Sequence, residues 1–153
     1  MNEPVYRRAV PDDAADCIAL RGRTRENAFT EAQLRELGIT VASWRDGIRD
    51  GLFPGYVCRV SGRMAGYCFG DADSGEILVL AVLPEYEGAG IGKRLLRHVI
   101  DAFAANGFTT LFLGCSTDPA SRSYGFYRHL GWTPTGKPDD AGDEILTLRI
   151  GPA

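Results

Sequence analysis

The stretch Val82-Leu83-Pro84-Glu85-Tyr86-Glu87-Gly88-Ala89-Gly90-Ile91-Gly92-Lys93-Arg94-Leu95-Leu96 decides how this chain is read. An apolar run ends at Leu83, and Pro84 closes it. Gly88, Gly90 and Gly92 then lead into a segment that carries Ile91, Leu95, Val99 and Phe103 on one helical face. Glycine lets the backbone turn tightly and lets a ligand approach the main chain. The first N–H groups of a helix have no internal partner, so phosphate oxygens can accept from them. Lys93 or Arg94 would add a cationic contact.

Two familiar phosphate loops fail on spacing. A Walker loop needs glycine where Glu87 stands and a hydroxyl where Arg94 stands. A dinucleotide fingerprint starting at Gly88 needs glycine in place of Lys93; one starting at Gly90 needs it in place of Leu95.

Working outward, residues 76–83 read as a strand buried on both faces. Residues 56–60 and 63–69 form a hairpin through Ser61-Gly62, and residues 71–75 form a turn. Upstream, residues 5–10 make a short strand closed by Pro11. Asp12 and Asp13 offer an N-cap to a helix with Ala14, Cys17, Ile18 and Arg21 on one face. Thr30-Glu31-Ala32-Gln33 is a capping box for a second, short helix that Gly38 ends. Val41, Trp44 and Ile48 share a third helical face. Downstream, Asn106-Gly107 caps the long helix, residues 109–115 form a strand and residues 121–130 a helix. Residues 133–136 and 144–150 form a last strand pair around a polar loop, 137–143, expected to be mobile. The expected architecture is one mixed α/β (α+β) domain over residues 1–153.

Composition narrows the function. The chain is 44% hydrophobic and 24% charged, with a net charge of −3 and a pI near 5.4. That balance implies a globular core and no broad basic surface for nucleic acid. The longest fully apolar run, residues 77–83, is far short of the ~20 residues of a spanning helix. No apolar signal segment follows Met1, so a cytoplasmic location is expected. Cys17, Cys58, Cys68 and Cys115 form no C-x-x-C pair, so buried, reduced thiols and no metal site are expected.

The quoted segment resembles the acyl-CoA-binding motif of the Gcn5-related N-acetyltransferase (GNAT) family: Val-x-Pro-x-Tyr/Phe, then Gln/Arg-x-x-Gly-x-Gly/Ala opening a helix. Val82, Pro84, Tyr86, Gly90, Ile91 and Gly92 match. Phe126-Tyr127-Arg128-His129-Leu130-Gly131-Trp132 resembles the family's aliphatic-Tyr-x-x-x-Gly-Phe signature. Glu87 departs from the usual Gln/Arg, and Ala120 stands where many members carry an Asn that contacts pantetheine.

The resemblance implies a mostly antiparallel twisted sheet of about six to seven strands with about four helices, and a splayed parallel strand pair that holds acyl-CoA. It implies pantetheine on the backbone of Leu80, Ala81 and Val82. The pyrophosphate would lie on the segment of Glu87, Gly88, Ala89, Gly90, Ile91, Gly92 and Lys93. Acetyl-CoA would be the co-substrate, attacked directly by a small-molecule amine or a protein amino group. A homodimer is compatible with the family. A non-catalytic acyl-CoA-binding module on the same fold is the alternative.

Tyr127 matches the tyrosine proposed to protonate the departing thiolate. Deprotonation of the amine falls to Glu76, to Glu26 or to a water chain. Glu76 occupies the position of the general base in histone-type members, six residues before Val82. Arg25, Glu26, Asn27 and Trp44 are candidate acceptor contacts. Cys115 reads as a buried strand cysteine rather than an acyl-carrying nucleophile. His98 and His129 read as solvated surface residues.

Overall fold

The computed structural model describes residues 3–24 and 28–151. Among the described residues seven strands are present: β1 Val5–Arg8, β2 Gly55–Val60, β3 Arg63–Gly70, β4 Ile77–Val82, β5 Thr110–Cys115, β6 Thr133–Pro138 and β7 Glu144–Arg149. Five α-helices accompany them: α1 Ala14–Arg21, α2 Glu31–Glu36, α3 Val41–Arg49, α4 Ile91–Ala105 and α5 Arg122–His129. The helix count exceeds the expected four or so by one short element. Two antiparallel sheets form, ordered β1-β2-β3-β4 and β5-β7-β6. This is the expected mixed α+β arrangement.

Local chemistry explains the elements. Ser61 and Gly62 both hold positive φ (53° and 79°), the type I′ geometry that matches strand twist in a two-residue hairpin. Thr30 and Gln33 exchange side-chain and backbone hydrogen bonds at the start of α2, and Thr40 and Ser43 do the same for α3. The expectation for Asp13 needs correction. Its side chain does not cap α1. Instead its carboxylate, 2% exposed, accepts from both guanidinium nitrogens of Arg7 at 2.7 Å, from Arg59 and from the Val10 N–H.

The four-stranded sheet separates two apolar layers. On one side, Leu95, Leu96, Val99 and Phe103 of α4 pack with Cys58, Cys68, Leu111, Leu113 and Leu146. On the other, Cys17 and Leu20 of α1 and Trp44 of α3 pack on Val57, Tyr67, Phe69 and Ala81. Each fully buried Leu or Phe contributes roughly 1.5–3 kcal/mol by removing apolar surface from water. A bulge in β4 changes which residues face which layer. Phe69 pairs with Val79 but Gly70 with Ile77, so Leu78 is the extra residue. It is left 37% exposed.

Residues 137 and 138, expected in the loop, belong to strand β6, which runs on to Pro138. Asp139 then closes the turn: its N–H donates to the Asp143 carbonyl at 2.7 Å, and its carboxylate accepts from the N–H groups of Ala141 and Asp143. Among the described residues no helix is long and apolar enough to cross a membrane.

Candidate active site

Strands β4 and β5 are the facing edges of the two sheets. They touch through one parallel bridge, Glu76 to Phe112, where the Phe112 N–H donates to the Gly75 carbonyl at 3.2 Å. Among the described residues no further pairing joins them, so the rest of the β4 edge shows no strand partner there. A cleft of about 380 Å³ opens there, with Leu80, Ala81 and Val82 on one wall and Ser123, Phe126 and Tyr127 of α5 on the other.

The glycine loop closes one end of the cleft. Gly88 (φ 85°) and Gly90 (φ 80°) hold left-handed backbone that side chains rarely adopt, and Gly90 is the N-cap of α4. Gly92 serves differently. A Cβ there would lie 3.7 Å from Phe126 and Val82 and 3.8 Å from Leu80, all three cleft residues. Its bare backbone therefore leaves room at the first turn of the helix. Glu87, Gly88, Gly90, Ile91, Gly92 and Lys93 line the cleft; Ala89 is exposed and lies outside its wall. Arg94 turns away, its guanidinium 5.2 Å from the centroid of the Tyr6 ring.

Glu87 is held by Arg122 at 3.1 Å, an ion pair joining the loop to the start of α5. Arg122, Arg21, Thr24 and Tyr86 also line the cleft, and site reasoning from the sequence had missed Arg21, Thr24 and Arg122. Arg122 carried a usable signal, since it stands at the first position of the helix that bears Tyr127. Arg21 carried none, because only the packing of α1 brings it to β4.

Tyr127 is 9% exposed, with its ring edge-on to Phe126 and Trp132 at 5.0 and 5.9 Å. Its hydroxyl has no hydrogen-bond partner among the described residues. Burial drives its pKa well above the ordinary tyrosine value, aided by Cys68 and Cys115 and opposed by the charge of Arg21. The phenol is therefore protonated at neutral pH and can donate a hydrogen bond into the cleft.

Glu76 sits at the closed end of the strand splay and lines neither cavity wall. Burial, then Asp71 and Asp139, raise its pKa. A second cavity of about 310 Å³ lies between α2, α3 and β4 and includes Trp44, stacked on Phe53 at 4.5 Å. Arg25, Glu26 and Asn27 lie outside the described residues.

All four cysteines are buried and free, and burial raises the Cys115 thiol pKa, which disfavours a thiolate nucleophile. His98 is not a solvated residue as expected. It is half-buried, stacked on Tyr56 at 4.8 Å and 5.7 Å from Tyr6. No cluster of three metal-ligating side chains occurs among the described residues.

A glycine loop opening a helix at the end of an unpaired strand edge, with a buried phenol in the wall, points to one class of protein. The acetyltransferase (GNAT) family model matches residues 17–132, and the chain belongs to that family. Amino-acid acetyltransferases of Neisseria meningitidis serogroups A and B are each 34% identical over 83 residues, 52% of this chain. The match spans only 19% of the length of those relatives. Three solved structures share the fold. The PaiA N-acetyltransferase of Thermoplasma acidophilum, in complex with coenzyme A, has a TM-score of 0.80 at 17% identity, covering 97% of this chain and 99% of that one. The ribosomal-protein-S18-alanine N-acetyltransferase of Escherichia coli has 0.73 at 20%, covering 99% and 96%. The yncA protein of Salmonella typhimurium, with its cofactor acetyl-CoA, has 0.72 at 19%, covering 99% and 96%.

Proposed function

We propose that this protein is an N-acetyltransferase that moves the acetyl group of acetyl-CoA onto a primary amine. One observation carries the reading: the cleft along the unpaired edge of β4 runs from a cradle of free helix N–H groups to the buried Tyr127 hydroxyl. The N–H groups of residues 88–92 suit a pyrophosphate, and Leu80, Ala81 and Val82 offer edge-strand backbone to pantetheine.

The acceptor nitrogen forms a bond to the thioester carbonyl carbon, the C–S bond breaks, and the amine proton passes to a base. Glu76, its pKa raised, is the candidate base, reached through water because it lies outside the cleft wall. Tyr127 donates to the departing sulfur. A free thiol has a pKa of ~8.5 and the buried phenol a higher one, so full proton transfer is uphill and hydrogen bonding to the developing thiolate is the larger contribution.

The test is release of the CoA thiol from acetyl-CoA across a panel of amines, beside thermal stabilisation by CoA. Amine-dependent release supports the reading. Stabilisation by CoA without release for any amine would make the protein a non-catalytic acyl-CoA-binding module.

A further inference from the structure

The two cavities share one residue, Arg21, at the C-terminal end of α1. We propose that the acceptor is an α-amino acid with an apolar side chain, its carboxylate held by Arg21 and its side chain seated in the second cavity. This rests on the acetyltransferase reading above.

The state of Arg21 sets it apart. Arg7, Arg59, Arg63, Arg122 and Arg128 each hold a carboxylate, and Arg8, Arg45, Arg94 and Arg97, which hold none among the described residues, are exposed, whereas Arg21 is half-buried. Among the described residues Arg21 has none. Its guanidinium lies 5.0 Å from the centroid of the Phe29 ring, a contact that leaves its in-plane N–H donors available. Its charge reaches Tyr127 of the first cavity and Tyr67 of the second, lowering the pKa of each phenol against the upward pull of burial. Arg21 thus stands electrostatically between the thioester end of the cleft and the second cavity.

The second cavity is otherwise walled mainly by carbon. Leu34 and Leu37 of the α2 region, Trp44 of α3, Phe53, and Leu78 and Val79 of β4 contribute to it. Two of the protein's exposed large apolar side chains, Leu37 at 64% and Leu78 at 37%, belong to this wall. The β4 bulge puts Leu78 there. Its volume of about 310 Å³ is at the small end of ligand pockets, suited to a single side chain.

A fixed cation beside an apolar cavity selects a ligand by charge. It attracts a carboxylate and disfavours a polyamine or a lysine side chain, which would bring a second positive charge against it. The attacking nitrogen must face the cleft that holds Tyr127. An α-amino acid carries amine, carboxylate and apolar group on one carbon, one for each of the three surroundings.

The experiment compares L-leucine, L-phenylalanine and L-methionine with their primary amides, with the corresponding amines lacking the carboxyl group, and with spermidine, following CoA release. Amidation makes the amine a readier nucleophile at neutral pH, so intrinsic reactivity favours the amides. The inference expects the opposite: kcat/KM for the free acids about 10- to 100-fold above amides and amines, the scale of a charge-assisted hydrogen bond. In Arg21→Met that ratio should collapse towards one while CoA binding is kept, and Arg21→Lys should recover part of it. Preference for amides or spermidine, or an acid-to-amide ratio unchanged in Arg21→Met, overturns the inference and leaves the acetyltransferase reading standing. CoA binding without turnover of any compound overturns both. An Arg21→Met loss confined to CoA affinity assigns the residue to the coenzyme and also overturns it.

Discussion

Glu87 and Arg122 face each other across the cleft, Oε1 to Nη1 at 3.1 Å, with the carboxylate 14% and the guanidinium 58% exposed. If the loop receives phosphate, as proposed, a carboxylate there is a liability, and Arg122 offsets it by placing a cation beside Glu87. Arg122→Ala should therefore raise the KM for acetyl-CoA about tenfold, the value of ~1.4 kcal/mol. Glu87→Gln should leave it unchanged or lower it, and the double variant should recover most of the loss. A double-mutant cycle on CoA affinity, repeated at low and high salt, reads the coupling.

The loop glycines should fail in different ways. Gly90→Ala forces a side chain into left-handed backbone and should cost about 1–2 kcal/mol of stability, read by urea unfolding. Gly92→Val should unfold near the wild-type midpoint yet lose CoA-induced stabilisation, because its side chain enters the space between Leu80, Val82 and Phe126.

Tyr127→Phe should lower kcat by about 100-fold or more, with little change in the KM for acetyl-CoA. Burial raises the phenol pKa, so the donor form persists as pH rises. The wild-type rate should then show no alkaline decline attributable to Tyr127 below pH ~10, the ordinary tyrosine value.

Asp139→Asn tests the setting of Glu76. Burial, Asp71 and Asp139 together raise the Glu76 pKa, so a base at this position becomes active only above its raised value. Removing the Asp139 charge should move the acidic limb of the kcat/KM profile to lower pH. Glu76→Gln should abolish that limb and lower the plateau.

Asp13 tests the scaffold. Burial alone would raise its pKa, but hydrogen bonds from Arg7, the Val10 N–H and Arg59 outweigh burial and the net shift is downward. A depressed folded-state pKa contributes stability above the unfolded value near 3.8, and that contribution is lost as pH falls through the folded value. Asp13→Asn should cost roughly 2–3 kcal/mol at pH 7, and the difference should shrink below pH ~4. Urea midpoints at both pH values measure it.

Much of the fold was legible because its signals are local. The stripe Ile91, Leu95, Val99, Phe103, the capping box at Thr30 and the hairpin at Ser61-Gly62 depend on residues a few positions apart. The glycine loop was legible for the same reason, whereas Tyr127 was singled out by the family resemblance. Asp13 misled because a carboxylate before a helix reads as a cap, while its partners are Arg7 of β1, the Val10 N–H and Arg59 of the distant strand β2, which only the packing of those strands brings together. The turn at Asp139 was not legible because a polar stretch gives no sign that one side chain closes several backbone bonds.

The sequence by itself determined the glycine loop, the helix that starts from it and the family to which the chain belongs. Glycine conformation and helix periodicity are properties of neighbouring residues. Only the tertiary structure decided that β4 and β5 meet at a single bridge and leave a cleft beyond it. It alone brought Arg122 onto Glu87 and set Arg21 between two cavities. Those relationships join residues far apart in the chain, and they exist only after packing has brought α1, β4 and α5 together.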